Sequence, residues 1–72
     1  MKGFDPMLLV ETEREKDGRW IAEINGLPGA MSYGENREEA VAKTEALALR
    51  ILADRVEHGE HVPELSMLFS AA

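Results

Sequence analysis

An α+β fold of order β-β-β-α-β follows from three features of the sequence. Two alternating apolar and polar runs flank Lys16-Asp17-Gly18, a third short run follows the turn-rich Asn25-Gly26-Leu27-Pro28-Gly29, and one long segment from Arg37 carries apolar residues at helical spacing. With 72 residues the chain makes a single domain, 1–72, and a chain of that size buries only roughly 60% of the surface its unfolded form exposes. The core is therefore thin. No cysteine is present to staple it, so association with a second chain, a homo-oligomer included, is the expected supplement.

The first strand reads from Pro6 to Glu13, since proline is tolerated at a strand's first position. Lys16-Asp17-Gly18 suits a three-residue hairpin loop, a type I turn followed by Gly18 in the left-handed conformation, and this pairs Glu15 with Arg19. The second strand then runs from Arg19 to Ile24. That register places Leu8, Val10 and Thr12 on one sheet face with Trp20, Ala22 and Ile24, the expected core face. The opposite face carries Met7, Leu9 and Ile21 together with Glu11, Glu13 and Glu23. A reversal at 25–29 leads to a third strand, Ala30 to Tyr33, completing a meander.

Asn36 is a good helix N-cap, and Glu39 three residues later can reach back to close a capping box. A helix from Arg37 to about His58 would carry Ala40, Val41, Thr44, Leu47, Ala48, Ile51 and Leu52 as one stripe over the sheet, with Gly59 as its left-handed stop. Glu60 to Glu64 reads as a loop, and Ser66 to Ser70 as a short fourth strand.

The formal charge of −6, from 14 acidic and 8 basic side chains, sets most of the surface against nucleic-acid phosphates, so no direct nucleic-acid binding is expected. No run approaches the ~20 apolar residues of a membrane span, and the N-terminus lacks a basic segment followed by an apolar one. A cytoplasmic, non-membrane protein is the expectation.

No residue pattern specifies an enzyme or a cofactor. Glu11, Glu13 and Glu23 share a face, but on the side away from the helix, where a solvated acidic surface explains them better than a metal site. His58 and His61 flank Gly59, which breaks the helix between the two imidazoles, and a histidine at a helix C-terminus complements the dipole. Ser32, Ser66 and Ser70 lack a nucleophile elbow, and Gly26, Gly29 and Gly34 fall in turns rather than in a phosphate cradle.

Four pieces in order carry a family resemblance: Asp17-Gly18 followed by Trp20-Ile21-Ala22, then Leu27-Pro28-Gly29, then Gly34 with Glu38-Glu39-Ala40, and finally Gly59-Glu60 with Pro63-Glu64. The set resembles the HicB-like antitoxins, whose domain is a truncated relative of the ribonuclease H fold, and covers nearly the whole chain. The resemblance implies a fourth strand beside and parallel to the first, in the order 3-2-1-4, with the helix as crossover. It also implies binding and masking of a small basic messenger-RNA-cleaving toxin of the HicA type. Many such proteins add a C-terminal DNA-binding domain, for which no residues are expected after the fourth strand here. The expected partner surface is Met7, Leu9, Glu11, Glu13, Ile21 and Glu23. The alternative expectation is an orphan homo-oligomeric structural or adaptor domain without a toxin; a metal-dependent nuclease is a remoter third.

Overall fold

The computed structural model describes residues 8–70. Three strands, β1 (Val10–Arg14), β2 (Trp20–Ile24) and β3 (Met31–Gly34), form an antiparallel sheet in the order β1-β2-β3, and one helix, α1 (Arg37–Glu57), packs on it. The α+β class and the meander are as the sequence predicts. β1 starts at Val10, later than Pro6, because Leu8 and Leu9 precede the ladder; Pro6 and Met7 lie outside the described residues.

The first hairpin closes through the anticipated pair. The Glu15 N–H donates to the Arg19 carbonyl at 2.7 Å and the Gly18 N–H to the Glu15 carbonyl at 3.0 Å, with Gly18 at φ 94°. Asp17 stiffens the loop: its carboxylate accepts the Arg19 main-chain N–H at 3.0 Å and the Arg19 Nε–H at 2.8 Å. The main-chain donor, aided by the guanidinium, holds the Asp17 carboxyl below its ordinary value.

The resulting register pairs Val10 with Ile24, Thr12 with Ala22 and Arg14 with Trp20 on the helix-facing side. Ala22 and Ile24 are buried there, whereas Trp20 is only half-buried, at the end of the sheet away from the main core cluster. That cluster gathers Ile24, Leu27, Ala30, Ala48, Leu52 and Val62, with Leu8, Val10, Ile51 and Leu65 packed around it. Leu27 is its largest fully buried side chain. The turn holds it inward through Leu27 N–H to the Ile24 carbonyl and Ala30 N–H to the Leu27 carbonyl, both 3.1 Å.

At the start of α1 the Asn36 Oδ1 accepts the Glu39 N–H at 2.8 Å. Glu39 reaches back one residue further than a standard capping box, its Oε1 accepting the Glu35 N–H at 2.5 Å. The C-terminus is a Schellman motif: Glu60 N–H to the Arg55 carbonyl at 2.9 Å, Gly59 N–H to the Val56 carbonyl at 3.0 Å, and Gly59 at φ 79°. Between these ends Ala40, Thr44, Ala48 and Leu52 are buried and Val41, Leu47 and Ile51 half-buried, which is the predicted stripe. Thr44 satisfies its buried hydroxyl by donating to the Ala22 carbonyl at 3.0 Å.

The expected fourth strand does not form. Residues 63–67 make a 3-10 helix, Pro63–Met67, so among the described residues the 3-2-1-4 order is replaced by β1-β2-β3 with β1 at an edge. Local bonds decide this. Pro63 opens the helix with its fixed φ, the Ser66 hydroxyl donates to the Pro63 carbonyl at 2.9 Å, and the Leu68 and Phe69 N–H groups both donate to the Leu65 carbonyl at 2.9 Å. Those donors are then unavailable to a ladder, and Val62 and Leu65 bury against the core while Leu68 and Phe69 stay exposed. Among the described residues no helix is long and apolar enough to cross a membrane.

Candidate functional site: the outer face of the sheet

Strand alternation sends every second residue of the meander away from α1. The outward pairs are Glu11 with Glu23 and Glu13 with Ile21 across β1 and β2, then Ile21 with Tyr33 and Glu23 with Met31 across β2 and β3. Of the predicted surface, Glu11, Glu13, Ile21 and Glu23 are thus brought onto one face. Leu9, one residue ahead of β1, is 57% exposed, and Met7 lies outside the described residues. Glu11, Thr12, Glu13, Ile21 and Glu23 line an open depression of about 480 Å³.

The register adds two residues that sequence reasoning missed. Met31 and Tyr33 on β3 extend the face, 43% and 39% exposed, and the Arg19 guanidinium sits 4.4 Å from the Tyr33 ring centroid. An Arg–aromatic contact at this distance is attractive and steadies the ring. The signal was available in the turn: once Ala30 is assigned to the core, alternation sends Met31 and Tyr33 outward.

The electrostatics of this face are unbalanced. Glu11 and Glu23 stand directly opposite each other, a cross-strand pairing of like charges that costs stability. Asn25 relieves it in part, its Nδ2 donating to Glu11 Oε1 at 2.6 Å. Of the cations nearby, Arg19 pairs with Asp17, and Arg37 reaches Thr12 Oγ1 at 3.3 Å. An acidic centre with Ile21 in its floor and Leu9, Met31 and Tyr33 around it can take a basic side chain, its alkyl stem on the apolar residues and its charged end among the carboxylates.

Other candidate chemistry is scattered. Among the described residues no group of three or more His, Asp or Glu side chains is arranged to hold a metal. His58 turns back on its own helix, Nδ1 donating to the Asp54 carbonyl at 2.7 Å and lying 3.5 Å from Asp54 Oδ1. Comparison with protein-family models, with curated proteins and with solved structures yields no match for this chain.

Proposed function

We propose that this domain binds a small basic protein through the outer face of its sheet, in the manner of a HicB-like antitoxin masking an RNA-cleaving toxin. The observation that carries the reading is the opposed Glu11–Glu23 pair beside Glu13, ringed by exposed Leu9, Met31 and Tyr33. A folded domain that keeps like charges in register gains when a cationic partner neutralises them, and the apolar rim gains when the same partner covers it. The residues that would meet the partner are Leu9, Glu11, Glu13, Ile21, Glu23, Met31 and Tyr33, with no catalytic role for any of them. The domain would act in the cytoplasm, where such a toxin meets messenger RNA.

The test is affinity capture from native cell lysate with the tagged chain at low and moderate salt, followed by an RNA-cleavage assay on what is captured. Recovery of one small basic protein, released by salt and inhibited in RNA cleavage when the domain is added back, supports the reading. Recovery of the chain alone replaces it with the stand-alone homo-oligomeric domain.

A further inference from the structure

The outer side of α1 carries a second apolar stripe that the packing of the domain leaves unused. Ala42, Ala46, Leu49, Ala53 and Val56 recur at alternating intervals of four and three residues, the spacing of a helix-pairing seam. At 3.6 residues per turn its centre lies roughly 140° around the axis from the buried Ala40, Thr44, Ala48 and Leu52. Leu49 is 62% and Val56 46% exposed, large values for γ- and β-branched side chains on a folded helix. The seam runs ~21 Å along a helix already held rigid by the sheet and by caps at both ends.

Charge complementarity points to a second copy of the chain and favours a parallel arrangement. In a parallel pair with Ala46 and Ala53 at the a positions and Ala42, Leu49 and Val56 at the d positions, Glu45 precedes an a position and Arg50 follows a d position. These are the places that face each other across such a seam, five residues apart, so Glu45 of each copy meets Arg50 of the other, twice by symmetry. Neither side chain is committed to an ion pair among the described residues. An antiparallel pair instead faces Lys43 with Arg50 twice in one register, which is repulsive, and in the other faces Arg50 with itself between two Lys43–Glu57 contacts; the parallel pair has no like-charge contact among these positions. Two other self-pairings are opposed by charge. Two outer sheet faces would oppose their glutamates, and β1 edges paired antiparallel about Thr12 would set Glu11 against Glu13 of the second copy.

We propose that two copies of this chain associate through the outer side of α1 as a parallel helix pair. Ala42, Ala46, Leu49, Ala53 and Val56 form its seam and reciprocal Glu45–Arg50 contacts flank it. The alanines let the helices approach closely, Leu49 and Val56 supply most of the apolar burial, and the shortness of the seam makes the dimer reversible. The acidic sheet faces point away from the dimer axis and remain open.

Sedimentation velocity of the full chain over a concentration series tests this. The wild type should pass from monomer to dimer. Leu49→Glu should remain monomeric with an unchanged circular dichroism spectrum, its site being exposed. Glu45→Arg and Arg50→Glu should each weaken the dimer about tenfold, while the double variant Glu45→Arg/Arg50→Glu should restore it. Because the chain has no cysteine, Ala53→Cys should also oxidise to a covalent dimer far faster than Lys16→Cys in the hairpin loop. A wild type that stays monomeric, a Leu49→Glu variant that dimerises as well as wild type, or an Arg50→Glu variant that dimerises better, overturns the proposal.

Discussion

Gly34→Ala probes how closely the helix is joined to the sheet. Gly34 ends β3 and pairs with Trp20, and a Cβ built on it meets the Ala40 main-chain nitrogen at 2.5 Å, the Ala40 Cα at 2.9 Å and the Glu39 carbonyl carbon at 3.0 Å. All three are backbone atoms, so no side chain can rotate away. Against ordinary contact at 3.4 Å, the first turn of α1 must retreat by about 0.9 Å. That turn carries the Asn36 cap and the fully buried Ala40, and it leads to Thr44, whose hydroxyl reaches Ala22. Overpacking of this kind costs about 1–3 kcal/mol. A chain of this length has only ~4–11 kcal/mol in total. At about 4–8 °C per kcal/mol for so small a domain, a loss of ~2 kcal/mol lowers Tm by about 8–16 °C. Thermal and urea unfolding followed by circular dichroism read this directly. Gly26→Ala is the comparison, because among the described residues its Cβ meets only the Leu8 Cδ2 at 3.9 Å, and it should stay near wild type. A Gly34→Ala Tm within about 2 °C of wild type would refute the close-approach argument.

Three further outcomes follow from the same structure. Leu27→Ala, which empties the largest fully buried side chain, should cost about 2–5 kcal/mol in urea unfolding, a large share of the total. Thr44→Val keeps the shape but removes the bond to the Ala22 carbonyl, and should cost about 0.5–1.5 kcal/mol by the same measurement. Asp17→Asn tests the hairpin's charge: the folded-state value is depressed below the ordinary 3.8, so the contribution is present above that value and lost as pH falls through the lower folded one. Wild type should therefore lose stability on acidification in that range more steeply than Asp17→Asn, and parallel pH profiles for the two would contradict the assignment.

Features written in local chemistry were legible in the sequence. Gly18 after a two-residue turn fixed the first hairpin and hence which of Glu11, Glu13, Ile21 and Glu23 share a face, and Asn36 and Gly59 marked both ends of α1. The segment after the helix was misread because Leu68 and Phe69 have strand-like composition. What decides it is Pro63 opening a 3-10 helix that Ser66 closes, and the burial of Val62 and Leu65. Leu27 was read as part of a turn and of the family resemblance but not as core, yet the turn carries it inward as the largest fully buried side chain. Met31 and Tyr33 were missed because the register of β3 depends on the geometry of residues 25–29, and the Leu49 stripe because a first stripe already explained the helix and alanines contribute little contrast to a second.

The central claim is that the sheet, and not the helix, presents the partner surface. Its most direct test compares capture of a basic protein from native lysate by the wild-type chain, by Glu11→Lys/Glu23→Lys and by Leu49→Glu, with folding of each checked by circular dichroism. Loss of the captured protein with the sheet variant and its retention with Leu49→Glu is the expected result. Equal capture by Glu11→Lys/Glu23→Lys and the wild type would contradict the account.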